Sequence, residues 1–256
     1  MTSSQLTLTA VDGIPEVTPG MPLAPLLAAA LSRQFGSLEG TDVVLIAQKI
    51  VSKSENRLVD LESVEVSARA REVAARCRKD PRLVQVILSE SAEVVRCAPQ
   101  VLIVRHRLGF VMANAGIDQS NVPDSERRVL LLPEDPDASA AALREALGER
   151  LGRAPAVVIT DSFGRPWRQG VCGIAIGSSG LVTLLDRRGD LDRFGRALKV
   201  TQIAVADELA AAGALVMGEA AEGRPVVLAR GIPGAWLHGP ARVADLVRPV
   251  SEDLFR

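Results

Sequence analysis

The chain has 256 residues, of which 47% are hydrophobic and 24% charged, enough for one large or two small domains around a real core. Its 30 basic and 31 acidic residues leave a net charge of −1, so there is no global electrostatic case for nucleic acid or an anionic membrane as a partner. Aromatics make up only 3% and Tyr is absent, which argues against stacking platforms for single-stranded nucleic acid.

The start, MTSSQLTLTA, has no basic region and no long apolar run, so no signal peptide is expected. No segment reaches the roughly 18 consecutive apolar residues of a membrane span. Cys77, Cys97 and Cys172 are widely separated, odd in number and not in a CxxC, which indicates neither a zinc site nor a disulfide framework. The cytoplasm is the expected compartment. His106 and His238 are read as ordinary strand or loop residues.

In chain order, Leu6 to Val11 alternates like a strand and turns at Asp12-Gly13. Pro22 to Phe35 reads as a helix stopped by Gly36, and Asp42 to Gln48 as a buried strand. The strand leads into Lys49–Arg57, which is either a basic strand end in water or a phosphate-reaching segment. Ser67–Lys79 reads as an exposed amphipathic helix. Asp80-Pro81 is an N-cap with proline at the first helical position of a second helix through Ser89. Val101–Val104 and Phe110–Ala113 form a hairpin around the turn His106–Gly109. It feeds the polar cluster Asn114–Pro123, locally an Asx-rich turn. Glu134–Leu151 is a helix starting near Asp137 and ending at Gly152.

Val157–Thr160 is a buried strand that breaks into a polar turn at Asp161-Ser162, with Gly164 and Pro166 blocking continuation and Arg165 and Arg168 following. The pair Asp161-Ser162 is either a turn or a ligand-bearing strand end. Val171–Gly177 is a strand whose glycines mark close backbone approach. Leu181–Leu185 is another strand. Lys199–Ala212 reads as a helix packed through Val200, Ile203, Ala204 and Leu209 and ending near Gly213. Val226–Ala229 is the last strand, and the tail from His238 is short and partly helical.

No GxxxxGK[ST], GxGxxG or GxSxG occurs, so P-loop, Rossmann and serine-elbow readings are unavailable. Three acids stand at strand-to-loop junctions: Asp118, Asp161 and Glu219. Hard divalent cations take oxygen ligands, and Mg²⁺ takes one or two carboxylates plus waters and substrate phosphates. Lysines after the first buried strand and arginines after Asp161 could neutralise phosphates. The constellation suits metal-assisted phosphoryl transfer better than redox or acyl-serine chemistry.

The ordered segments GIPEV, AQKIVSKSENR, ANAGIDQSNV, VVITDSFGRPWRQGV and MGEAAEGRPVVLARG resemble the coenzyme F-420:L-glutamate ligases, also called F-420-0:γ-glutamyl ligases, from about Leu8 to Gly231. The resemblance implies a two-lobed mixed α/β fold, forming an intertwined homodimer, in one ligase domain over residues 1–256 without the C-terminal nitroreductase-like domain of some relatives. It implies GTP as co-substrate and Mg²⁺ or Mn²⁺ as metal, with K⁺ a further candidate ion. The reaction implied attaches L-glutamate by γ-linked amides to the lactyl-phosphate end of the deazaflavin F-420-0.

By motif match, Asp118, Asp161, Ser162 and Glu219 would bind metal. Ile14, Pro15, Glu16, Val17, Gln48, Lys49, Lys53 and Asn121 would bind GTP, with Met217, Gly218, Ala220, Ala221 and Glu222 of the loop Leu215–Glu222. Arg165 and Arg168 are expected to serve phosphates or the acidic substrate. Against the family pattern, Ser162 replaces Thr, Asn56 stands for a glycine, and GEAAEG replaces a GEGGDG-like loop. Loss of two glycines there restricts positive φ. A ligase with another acceptor, and a nucleotide- or deazaflavin-binding module without turnover, are the competing readings.

Overall fold

The computed structural model describes residues 5–122, 124–239 and 242–253. Pro123, at the end of the second polar cluster, and residues 240–241 and 254–256 of the tail lie outside them. In chain order, β1 (Thr7–Ala10) is followed by α1 (Leu23–Phe35), β2 (Val43–Ala47), α2 (Gln48–Ser54) and β3 (Leu58–Asp60). Next come α3 (Ala68–Cys77), α4 (Pro81–Ser89), β4 (Ser91–Ala98), β5 (Val101–His106), β6 (Val111–Ala113) and β7 (Arg128–Leu130). The rest is α5 (Pro136–Leu151), β8 (Ala156–Arg165), β9 (Arg168–Ser179), β10 (Leu185–Asp186), β11 (Gln202–Ile203), α6 (Val205–Met217) and β12 (Val226–Arg230).

The protein is mixed α/β. Its main sheet has the order β1-β12-β2-β8-β9, with β2 and β8 parallel and every other pairing antiparallel. The period of two along the strands divides two cores. Val44, Ile46, Val157 and Ile159 face α1 and α5, whereas Val43, Leu45 and Val158 face α6. Helices cover both faces, so these strands read as continuous apolar runs rather than alternating ones. Each fully buried Val, Leu or Ile contributes about 1.5–3 kcal/mol.

Two glycines of β9 allow the helices to approach. A Cβ at Gly173 would lie 2.5 Å from the Ala210 carbonyl oxygen in α6, and one at Gly177 would collide with that of Pro136 in α5. A separate apolar cluster joins α3 and α4 to the three-stranded sheet β4-β5-β6 through Val73, Cys77, Ile87, Leu102 and Val104. Glu90, just after α4, is an ionic hub there. Arg57 Nη2 donates to its Oε2 at 2.9 Å and Arg107 Nε at 3.3 Å, and buried His106 Nε2 stands 3.6 Å away. His106 Nδ1 accepts from the Leu108 amide at 3.0 Å, so this histidine is a packed structural residue.

The structure corrects four expectations. The strand expected through Gln48 ends at Ala47, and the residues after it form α2 rather than a basic strand end. The strand from Ala156 does not break at Asp161 but runs to Arg165, because β9 pairs with it past the end of β2. α6 starts at Val205, leaving Val200 84% exposed and Ile203 in β11, and it passes through Gly213 to Met217. Gly213 is there for contact, since a Cβ would meet Leu45 Cδ1 at 2.6 Å. Of Leu181–Leu185, only Leu181 and Leu185 pair, with Leu237 and Ile203. β4 had no clear sequence signal; two register shifts in its pairing with β5 blur its alternation. Among the described residues no helix is long and apolar enough to cross a membrane.

Candidate active site

The parallel pairing of β2 and β8 stops at Ala47–Thr160. There β2 turns into α2 while β8 continues beside β9, and a cavity of about 600 Å³ opens between the diverging segments. That volume is in the range of small-molecule sites. Its wall includes Ile14, Pro15, Glu16 and Val17 from the loop before α1, Gln48, Lys49 and Lys53 from α2, and Asp118 and Asn121 from the polar turn. Asp161 and Ser162 enter from β8, and Met217, Gly218, Glu219, Ala220, Ala221 and Glu222 from the end of α6 and the loop beyond it.

Asp118 reaches the cavity through an unusual turn. Asn114, Ala115 and Gly116 have φ of 52°, 55° and 67°, three consecutive left-handed residues. Gly116 takes this conformation where a Cβ would crowd Met112 Cε at 2.6 Å and both Leu132 methyl groups at 3.1 Å. Two backbone bonds between Asp118 and Leu130, at 2.9 and 2.8 Å, then fix the turn to the end of β7. The Ser120 amide donates to Asp118 Oδ1 at 2.7 Å, the expected Asx turn. Lys49 Nζ lies 2.6 Å from Asp118 Oδ2 and donates to Ser120 Oγ at 2.7 Å. Burial pushes the Asp118 carboxyl up, but the bonds from Lys49 and Ser120 outweigh it and hold the group below its ordinary value.

Asp161 goes the other way. Burial, with repulsion from Asp118 and Glu219, raises it to about 7. The Ser162 amide, donating at 2.8 Å, and the Lys49 charge offset only part of this. Ser162 Oγ lies 2.7 Å from both Glu219 carboxylate oxygens and ties β8 to the loop after α6. In that loop Gly218 and Gly223 adopt φ of 77° and 66°, whereas Ala220 and Ala221 are not at positive φ. The two alanines therefore occupy positions that do not need glycine. Glu222 folds back over Gly218 and accepts from the Ala220 amide at 2.8 Å, and Asn121 Nδ2 donates to the Ala220 carbonyl at 3.3 Å. Asn56 takes φ of 56°, a left-handed position that asparagine tolerates in place of glycine.

Two further groups face inward. Lys53, almost fully buried, places Nζ 2.6 Å from Glu16 Oε1. Gln48 Oε1 accepts from Ser52 Oγ at 2.8 Å, and its Nε2 has no partner among the described residues although Gln48 is buried. A buried donor left unpaired costs about 1–3 kcal/mol, which a ligand acceptor would recover. Arg165 and Arg168 are not in the wall. They end the β8–β9 hairpin, where Arg165 Nη2 donates to the Gln169 carbonyl at 3.3 Å. Arg224, Ser120, Thr160 and Val171 do line the cavity and were not singled out from the sequence. Ser120 was signalled by the Asp-x-Ser spacing; Arg224, directly after the acidic loop, had only its position.

Among the described residues no three His, Cys, Asp or Glu side chains stand close enough together to hold a metal ion by themselves. The acids instead line an open cavity as an all-oxygen set with a hydroxyl. Burial first, and then the neighbouring Asp118 and Glu219, make the charged form of Asp161 costly, a cost that a bound cation would offset. That chemistry fits a hard divalent cation completing its shell with water and phosphate.

The family model for F420-0:Gamma-glutamyl ligase matches residues 13–231. The chain is 45% identical over 251 residues, 98% of itself and 99% of the relative, to the coenzyme F420:L-glutamate ligase of Methanothermobacter thermautotrophicus. It is 46% identical to the protein of that name from Methanopyrus kandleri over 94% of each chain. The Haloarcula marismortui protein of the same name is 46% identical over 86% of this chain and 85% of its own. The fold that opens a cavity beside β8 and the motifs that line it thus belong to a member of the F420-0:γ-glutamyl ligase family.

Proposed function

We propose that this chain is a GTP-dependent ligase that adds L-glutamate to the deazaflavin F-420-0 by γ-linked amide bonds, through an acyl phosphate. The observation that carries the reading is one cavity in which Asp118, Asp161 and Glu219 stand with Lys49, Lys53 and the unpaired Gln48 amide. Acids for a cation, cations for phosphates and a spare donor are what transfer of a phosphoryl group between two anions requires. Near full-length similarity to relatives named for this ligation supports the choice of substrates.

In this reading Lys49, Lys53 and Gln48 hold the phosphates, and Ile14–Val17, Asn121 and the loop Met217–Glu222 hold the rest of GTP. Asp118, Asp161, Glu219 and Ser162 Oγ would hold Mg²⁺ or Mn²⁺, which supplies charge neutralisation for the transferring phosphoryl group. The acceptor carboxylate attacks the γ-phosphorus and GDP leaves, with the two ammonium groups lowering the repulsion between anions. The glutamate amine then adds to the acyl carbon, and phosphate departs from the tetrahedral oxyanion. Arg224, in the wall two residues after Glu222, would receive an acidic substrate there. We give Arg165 and Arg168 no contact with the nucleotide. A homodimer is also inferred, supported by Trp167, Phe194 and Leu215, each nearly 90% exposed.

The test is mass spectrometry of F-420-0 incubated with the protein, L-glutamate, Mn²⁺ and either GTP or ATP. Glutamyl-extended product with GTP is the expected result. GTP turnover with no extended F-420-0 would favour another acceptor. Neither product nor GDP would leave a binding module.

A further inference from the structure

We infer that Lys49 is a place-holder for the divalent cation: its ammonium neutralises Asp118 in the free protein and leaves that carboxylate for a phosphate when metal and nucleotide enter. The inference rests on the ligase reading of the cavity and adds to it an exchange of partners. Lys49 Nζ lies 2.6 Å from Asp118 Oδ2, while Asp118 Oδ1 is taken by the Ser120 amide at 2.7 Å. The Asp118 oxygen not bound by backbone is therefore the one under the ammonium.

A divalent ion and an ammonium cannot share that oxygen without strong repulsion. The pair is only about a quarter exposed, 28% for Lys49 and 25% for Asp118, so solvent screens it weakly. Lys49 stands in the first turn of α2 on a flexible four-carbon stem and, among the described residues, is held otherwise only by Ser120 Oγ, so it can swing. Once displaced it needs an anion, and the nucleotide phosphates supply one in the same cavity. Whatever binds the freed ammonium favours metal entry, and metal entry favours nucleotide by the same factor. Lys53 is the contrast: it has the same charge and lines the same cavity, but pairs with Glu16 on another loop.

The test titrates Mn²⁺ into protein without nucleotide, followed by electron paramagnetic resonance, for wild type, K49M, K49Q, K49R and K53M. A fluorescent GTP analogue is then titrated with and without Mn²⁺. Displacement predicts that K49M and K49Q bind Mn²⁺ alone about five- to tenfold more tightly than wild type, in the usual range of coupling between sites. K49R, which keeps the ammonium's charge and donor, stays like wild type, and K53M changes less than about twofold. In K49M the enhancement of nucleotide binding by Mn²⁺ shrinks. Equal Mn²⁺ affinity in wild type, K49M and K49Q overturns the inference, as does an equal gain in K53M, which would reduce the effect to bulk charge. In either case wild type still binds Mn²⁺ and nucleotide, and the ligase reading stands. A wild type that binds neither overturns both.

Discussion

Replacing Asp161 by asparagine is expected to stabilise the ligand-free protein above neutral pH while removing its response to metal. The folded-state value of about 7 lies above the ordinary 3.8, chiefly through burial and then through Asp118 and Glu219. Between those values the folded protein holds a proton that the unfolded chain has lost, so stability falls as pH rises from about 4 to about 7 and is flat beyond. The span corresponds to roughly 4 kcal/mol at 1.36 kcal/mol per pH unit. Water entering the cavity relaxes part of this, leaving about 2 kcal/mol. The asparagine amide is neutral at every pH and close in shape to the protonated carboxyl. For a chain of this size, 2 kcal/mol corresponds to about 4–8 °C in Tm. Thermal melts from pH 4 to pH 8.5 should show D161N pulling ahead of wild type across that window. Added Mn²⁺ should raise the Tm of wild type and not of D161N. A stability difference that does not vary with pH, or a D161N protein less stable than wild type at pH 8, would refute the electrostatic account.

G218A forces a side chain onto a residue at φ 77° with the Glu222 carboxyl group in its way, at a cost of about 1–2 kcal/mol, and should weaken nucleotide binding about tenfold in a fluorescence titration. E90Q leaves Arg57 and Arg107 without their shared carboxylate and should cost about 3 kcal/mol in urea unfolding at pH 7. Burial raises the Glu90 carboxyl, but His106, Arg57 and Arg107 together bring it below its ordinary 4.5. Its stabilisation is thus present above that value and lost as pH falls through the lowered one, so the E90Q deficit should close in acid. Since Arg168 stands outside the cavity wall, R168A should leave nucleotide affinity within about twofold of wild type.

Much of the scaffold was legible because its signals are local. Asp80-Pro81, Gly36 and Gly152 cap their helices as read, and Val43–Ile46 and Val157–Ile159 are the buried strands their β-branched runs imply. Errors arose where tertiary contact overrides local chemistry. Gly164 and Pro166 read as a break, but pairing with β9 extends the strand to Arg165. Gly213 read as a helix stop, but it lies inside α6, where a Cβ would crowd the tip of Leu45. Lys49–Arg57 looked like a strand end because α2 is only seven residues long, too short for a clear helical period. For the site, the polar clusters after apolar strands were visible, but their meeting depends on pairings across the chain. One is Asp118 with Leu130; another is Ser162 with Glu219, 57 residues away. The Lys49–Asp118 pair, between residues 69 apart, left no local trace in the sequence. Arg165 and Arg168 were singled out by nearness in sequence to Asp161; the hairpin places them at its end, beyond the wall residue Val171.

The most direct test of an acyl-phosphate ligase follows oxygen. F-420-0 carrying ¹⁸O in its carboxylate is incubated with the protein, GTP, Mn²⁺ and L-glutamate, and the released phosphate is analysed by mass. Attack of the carboxylate on GTP, followed by displacement by the amine, transfers one ¹⁸O to each phosphate released in the first ligation. Labelled phosphate, equal in amount to the first glutamyl product, is the predicted result. Amide product accompanied by unlabelled phosphate would contradict it.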